Sequence, residues 1–413
     1  MLRILTALCV LAPVGAQAFS QCTVTPIGGP SAFIVEEASN PVVSGGIAYT
    51  GYTKGSSVIV IAATDNGATL GDPVTVSGSG SHRARHLRLS TVDNRVYAAW
   101  QEGDEDGKNL KMLFAASRDH ALAGSWDAPT ELGASATDIA QVASDASNVH
   151  VVWVMPNDDI AVVSSTDSGR RFDAPIILGK GTGEVVVASE GKHVYVAWET
   201  GNLTPTRDVM FAVSSDFGKT FPSIADISND GKRNAREPIL SLNHETGRLS
   251  LVWREDDPVQ GVYLQSKDNG KTWSKPKVVA DSARQVMVQD DNAYIYVTYL
   301  LVAQTGKKHQ NLDYQTSLVV STDGGKTWSE PKNLTGPSGI SHLHNDDDRP
   351  IPWALNGKIR ITGIEADGVH IWSGEKGHLR DGIYLGPGIL ASPQGNSAVW
   401  QAPGSVVNYA SCR

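Results

Sequence analysis

The sequence predicts an all-β protein built as a β-propeller of four-stranded antiparallel blades. Three observations carry this expectation. A serine–aspartate–glycine phrase recurs at a nearly constant step. Short alternating strands fill every step, and no amphipathic helical pattern interrupts them.

The phrase is fullest at Ser266–Trp273 (SKDNGKTW) and Ser321–Trp328 (STDGGKTW), with a close version at Ser214–Phe221. Looser versions supply Asp65, Asp119 and Asp167. From Asp65 through Asp119, Asp167, Asp216 and Asp268 to Asp323 the steps are 54, 48, 49, 52 and 55 residues. A degenerate seventh, Ser373-Gly-Glu375-Lys-Gly377, follows. Within each step an alternating strand ends in an aromatic residue, as in RVYAAW at Trp100, VHVVW at Trp153, HVYVAW at Trp198 and LSLVW at Trp253. A second strand, the phrase, a shorter strand and a further strand complete the unit, with Gly, Asp and Asn at the turns. Four-stranded units repeated radially give a propeller.

The phrase is read as a structural clasp. Its aspartate accepts hydrogen bonds from backbone N–H groups of its own turn, and its glycine supplies a left-handed backbone. The Thr-Trp pair is expected to fold back and plug the outer side of its own blade. Asp65, Asp119, Asp167, Asp216, Asp268 and Asp323 are therefore structural rather than catalytic.

Residues 1–18 read as a secretory signal: Arg3 supplies the positive start, Ile4–Ala16 the apolar stretch, and Ala16-Gln17-Ala18 the cleavage site. Residues 19–413 then form one propeller domain, exported to the periplasm or secreted. At about 50 residues per repeat this length gives about eight blades, with seven as the alternative. SAVWQAP and SVVNYASC near the C-terminus, and QCTVTPI at the mature N-terminus, imitate strands without a phrase. The closing blade is expected to take strands from both ends. In an exported protein the two cysteines left after cleavage, Cys22 and Cys412, form the usual even pair, so a disulfide across that blade is expected.

The formal net charge of −9 becomes −10 once Arg3 is removed. Such a surface repels phosphate backbones, which excludes nucleic acid as a partner class. No segment beyond the leader approaches membrane-spanning length.

Ser-x-Asp-x-Gly-x-Thr-Trp resembles the Asp-box, or BNR repeat, of the sialidase (neuraminidase) superfamily. The resemblance covers most of the mature chain as repeats. It implies that the boxes lie on one face of the ring and the ligand on the other. That opposite face is made by the loop entering each unit and the loop after its aromatic strand. The resemblance also implies arginines gripping a carboxylate, and a tyrosine nucleophile activated by a glutamate.

The entering loops carry Arg85, Arg236, Arg284 and Arg349, which are taken as ligand-binding candidates; Arg83 and Arg233 lie nearby. Converging guanidinium groups bind carboxylates through paired hydrogen bonds. The plain alternative is rim arginines paired with Asp230, Glu237, Asp281 and Asp348. The loops after the aromatic strand carry acids, Glu199 and Glu255 among them, which suit general acid or base roles or solvated loop charge. The stretch SHLHNDDDRPIPW, Ser341–Trp353, offers three readings. It holds catalytic acids (Asp346 or Asp348), or a divalent-metal site (His342 and His344 with His86), or an acidic surface loop. Tyr314 with Glu255 is the candidate nucleophile pair, although Tyr314 also fits a strand position.

Two function classes follow. One is a non-catalytic binding propeller for a glycan, an anionic small molecule or a protein, needing no cofactor. The other is an exo-acting glycoside hydrolase on an acidic sugar. A metal-bearing propeller is a third reading. Fold alone does not separate them.

Overall fold

A computed structural model describes residues 22–28, 35–38, 42–64, 69–77, 82–104, 106–136, 140–203, 206–228, 233–292, 294–303, 313–335, 341–342, 350–355, 358–365, 368–375, 378–379, 383–386, 389–394, 397–402 and 406–412. Residues 1–18, read above as a leader, and Asp65, His344, Asp346, Asp348 and Arg349 lie outside them.

The strands form eight antiparallel sheets, each with four strand positions. In chain order, blade one opens at Val35–Ala38 and Val42–Ser44 and continues through Ile47–Lys54 and Ser57–Thr64. Blade two runs from Arg83–Val92 to Thr130–Ala134, blade three from Ala140–Asp145 to Ile176–Lys180, and blade four from Val185–Glu190 to Ser223–Asp226. Blade five runs from Ala235–Asn243 to Lys277–Asp281 and blade six from Ala283–Asp291 to Lys332–Asn333, extended by Ser341–His342. Blade seven opens at Ile351–Leu355 and ends at Ile383–Gly386. Blade eight takes Ile389–Gln394, Ser397–Ala402 and Val406–Cys412 from one end of the chain and Cys22–Gly28 from the other. First strands of successive blades touch around the ring, and Val35–Ala38 of blade one touches Ser397–Ala402 and Val406–Cys412 of blade eight.

The second strands of blades two to six are buried along most of their described length between neighbouring sheets. NVHVVWV of blade three and RLSLVWRE of blade five are buried along their whole length. This is why these strands read as near-continuous apolar runs rather than clean alternations. In blades three and four the aromatic end of the second strand crosses the seam. Trp153 Nε1 donates to the Ala134 carbonyl of blade two at 2.9 Å, and Trp198 Nε1 to the Lys180 carbonyl of blade three at 3.1 Å. The indoles lie against Gly133 and Gly179, where an added Cβ would stand 3.2 and 3.3 Å from the ring.

The repeated phrase is a hydrogen-bonded turn, as its chemistry predicts. In blade five, Ser266 Oγ donates to Asp268 Oδ1 at 2.8 Å and accepts from the Gly270 N–H at 2.9 Å. The Asp268 carboxylate also accepts from the Thr272 N–H at 2.9 Å and the Thr272 hydroxyl at 2.6 Å. The same bonds recur around Asp216 and Asp323, and all but the hydroxyl contact around Asp167. In blade two the turn is worn: Ala121, with φ of 58°, replaces the glycine, and its N–H still reaches Ser117 Oγ.

One expectation is corrected. The aromatic ring of the turn does not plug its own blade; it enters the blade before. Phe172 of blade three meets Phe114 of blade two edge-on at 4.8 Å, Trp273 meets Phe211 at 4.9 Å, and Trp328 meets Tyr263 at 4.9 Å. The glycine is needed there twice over. Gly270 has φ of 76°, and a Cβ on it would sit 2.7 Å from the Phe211 ring.

A buried ion pair also joins two blades. Arg248 of blade five grips Asp290 of blade six through Nε at 2.6 Å and Nη2 at 2.5 Å. Ser250 and Asn243 add hydrogen bonds to the same carboxylate, so no lone pair on it is left to solvent. Desolvation offsets much of the attraction in such a pair, but losing one partner strands the other, at about 3–5 kcal/mol.

Two outcomes are expected. Cys22 stands opposite Cys412 in the closing antiparallel pair, a neighbouring geometry that suits a disulfide. Peptide mass mapping without reductant should recover a Cys22–Cys412 cross-linked peptide; free thiols at both positions would remove the bridge. Second, hydrogen bonds from the Thr272 hydroxyl and N–H lower the Asp268 carboxyl to about 2. The depressed value means its contribution is complete above about pH 4, the unfolded range, and is lost as pH falls toward 2. The stability gap between the wild type and Asp268→Asn in urea should therefore narrow from pH 5 to pH 3. A constant gap would mean that the carboxylate charge is not what holds the turn.

Candidate functional site

The face expected to hold a ligand collects the starts of first strands and the ends of second strands. On blades two, five and six the first strand carries the same irregularity. Its register with the second strand slips between Arg85 and Arg88, between Arg236 and Ile239, and between Arg284 and Met287. In each case the residue after the arginine is left-handed: His86 at φ 51°, Glu237 at 57° and Gln285 at 49°. A bulge re-aims the side chain at a sheet's end, and non-glycine residues in this region are uncommon. Three of the four arginines picked out by sequence thus share one backbone setting. Arg349 lies outside the described residues.

Their environments differ. Arg85 turns over its own blade and donates to the Asp104 carbonyl at 3.2 Å. Arg236 lies 3.8 Å from Glu199 and 3.7 Å from Asp256. Arg284 is partly buried; its Nε is screened from solvent and makes no hydrogen bond to the described residues.

Blades four and five together build a dense charge lattice. Glu199, 3 % exposed at the end of the blade-four second strand, accepts from Arg207 at 3.1 Å and from the Glu237 N–H at 3.1 Å. Glu255, 6 % exposed at the matching place in blade five, accepts from Arg233 at 2.8 Å, Gln260 at 2.7 Å and the Trp253 indole at 3.4 Å. Arg254 ties Glu237 at 3.0 Å to Asp256 at 3.1 Å. Arg207, Arg236 and Arg254 interlock with Glu199, Glu237 and Asp256, and the Arg233–Glu255 pair stands alongside them in blade five. Rim pairing therefore occurs, mostly with other acids than those expected; of the four named, only Glu237 takes part in these described ion pairs. Arg207 and Arg254 were missed in the sequence. Arg254 stood inside the Trp253-x-Glu255 phrase, so the aromatic-strand loops held the signal.

The remaining candidates are placed as follows. Tyr314 is 5 % exposed and opens the third strand of blade six, where it pairs with Val302 and Ser341. Glu255, its proposed activator, commits its carboxylate to the bonds above. His86 is on the first strand of blade two and His342 on the outermost strand of blade six, half a ring apart. Among the described residues no three metal-type side chains meet. His344, Asp346 and Asp348 lie outside the described residues.

No protein-family model matches the chain. A curated relative, "Sialidase" from Bacteroides fragilis (strain YCH46), is 25% identical over 195 residues, which is 42% of this chain and 34% of that protein. The chain thus spans about a third of the length of the curated relative it matches. Among solved structures, a polysaccharide lyase of family PL25, an ulvan lyase bound to -[GlcA(1-4)Rha3S]-, superposes with a TM-score of 0.50 at 12% identity, covering 94% of this chain and 96% of that one. Trypanosoma rangeli sialidase superposes with a TM-score of 0.44 at 11% identity, over 94% of this chain and 59% of that one. The fold is that of a sialidase-like β-propeller, and proteins similar to it act on glycans.

Glu199 holds two arginines and a backbone N–H from an almost fully buried position. Replacing it with alanine should cost about 1–3 kcal/mol, less than a wholly buried pair because Arg207 and Arg236 keep partial solvent access. Urea unfolding of Glu199→Ala measures this. A change below about 0.5 kcal/mol, the range of an inert surface site, would mean that the lattice is not held through Glu199.

Proposed function

We propose that this sialidase-like β-propeller is an exported, non-catalytic module that binds an acidic glycan on its arginine-bearing face. The observation that carries the reading is the state of the carboxylates. Glu199 and Glu255, the buried acids of the ligand face, are each tied to arginine. A carboxylate so held is fixed in place with its oxygens already engaged, which leaves little of it to serve a leaving group. Arg284 contrasts with them. It sits at a bulge near the start of the first strand of blade six, and its buried Nε, like that of Arg236, makes no hydrogen bond to the described residues. A uronate or sialate carboxylate supplies the acceptor pair that a guanidinium fits. The lattice then frames the bound sugar with fixed polar groups that need no reordering on binding.

Glycan-acting enzymes among the similar structures support a sugar as the ligand class. The glucuronate-containing oligosaccharide named for the ulvan lyase makes uronates a sensible first probe. The rival reading, an exo-hydrolase on an acidic sugar, is tested in the same experiment. Calorimetric titration of the mature protein with uronate and sialate oligosaccharides should give saturable binding. Arg284→Ala should weaken it at least tenfold, about 1.4 kcal/mol, and added salt should weaken it further. The sugars should be recovered intact. Released monosaccharide that disappears in Arg284→Ala would make the protein a hydrolase. Absence of binding to every acidic sugar would remove the glycan reading.

A further inference from the structure

The seams between blades contain a second site, remote in kind from the arginine face. Five seams in succession are filled by a ring from the later blade's turn. Trp126 packs into the cluster shared by blades one and two, Phe172 into that of blades two and three, and Phe221 into that of blades three and four. Trp273 and Trp328 do the same for the next two.

At the seam between blades six and seven the series stops. The turn of blade seven reads Ser373-Gly-Glu-Lys-Gly-His-Leu-Arg380, so Arg380 occupies the aromatic's place in the phrase. The facing wall is aliphatic, as Val60 and Val162 make it in blades one and three. Leu318 stands three residues before the turn serine, where Phe114, Phe211 and Tyr263 stand in blades two, four and five. Among the described residues the cluster of this seam is completed by Tyr294, Leu334 and Leu379. A cavity of about 460 Å³ opens there, lined by Leu318, Val320, Thr327, Trp328, Lys332 and His378 among others. Its volume lies within the range of small-molecule sites, about 300–1,000 Å³.

We propose that this cavity binds a small aromatic compound that carries a hydrogen-bond acceptor. Three features of the molecule converge on that class. The first is internal symmetry: the empty volume is where five other seams hold a ring. The second is the lining, an aliphatic floor of Leu318 and Val320 with Trp328 and His378 as ring partners. Aromatic pairs of this kind contribute beyond the area they bury. The third is polar. The Trp328 Nε1 is buried and makes no hydrogen bond to the described residues, although its ring lines the cavity. A buried indole N–H normally finds an acceptor, and a ligand oxygen provides one. Lys332, whose Nζ already reaches across the seam to the Leu379 carbonyl at 3.0 Å, fixes the width of the mouth.

The test uses the full mature protein and ligand-observed NMR with 2-naphthol as probe. Saturable binding is expected, at least tenfold tighter than that of cyclohexanol, which matches the acceptor but lacks the ring. His378→Trp supplies the missing ring from the later blade, from an exposed position that leaves the core untouched. It should weaken 2-naphthol binding at least tenfold. Leu318→Phe, which restores the ring found at the same place in blades two and four, should do so independently. Arg284→Ala should leave it unchanged, which separates this site from the glycan face. Unsaturable binding to the wild type, equal affinity for cyclohexanol, or undiminished binding in both filled variants would overturn the proposal.

Discussion

Everything in this ring hangs on how one blade is held to the next. A single four-stranded sheet with two apolar faces has no stability of its own; it exists because both faces are covered by neighbours. The seam carries two fixings at opposite ends of the strands. Near the ligand face, the tryptophan that ends a second strand reaches into the outer strand of the earlier blade, as Trp153 does to Ala134. At the other end the turn of Ser, Asp and Gly sends an aromatic ring into the earlier blade, as Trp273 does to Phe211. The turn's hydrogen bonds are local, but their purpose is not: they aim a ring across a boundary. That explains why glycine is demanded at Gly270 by its neighbour's ring as well as by its own dihedral angle.

The ligand face grows out of the same frame. The first strands line the ring, and an irregularity at their start re-aims the side chain there. The bulges at Arg85, Arg236 and Arg284 are such irregularities, each with a left-handed residue behind it. The second strands end at the same level and deliver Glu199 and Glu255. Arginine and carboxylate therefore meet because two strand ends meet. Where blades four and five abut, the charges neutralise one another, while the Nε of Arg236 and that of Arg284 make no hydrogen bond to the described residues.

Much of this was legible in the chain before any coordinates. The regular step between aspartates, and the apolar strands between them, specify blades, since both follow from local periodicity. The hydrogen bonds of Asp268 and Asp323 follow from residue chemistry within eight positions of sequence. What periodicity does not encode is the partner across a seam. Nothing near Trp273 names Phe211, and nothing near Arg248 names Asp290, because those contacts span a whole repeat or most of one. The same limit explains the site. Arginine-rich loops were visible, but their pairing depended on which acids the ring brought alongside. Arg236 turned out to face Glu199, from the blade before it, rather than the acids beside it in the chain.

The closing blade sets an order on events. Cys22–Gly28, the earliest strand in the described chain, has its only sheet neighbour in Val406–Cys412, the last. Through synthesis, that first strand must wait with an open edge until the strand that pairs with it arrives. Pairing between strands so distant in sequence makes ring closure a late step with a high loop-closure cost. Until then the growing array is a curved stack with two raw ends, each able to capture the edge of another copy. Once shut, the ring has no terminal blade from which unravelling can begin by simple fraying. The protein is thereby most exposed to mispairing while it is being made, and best protected once it is complete.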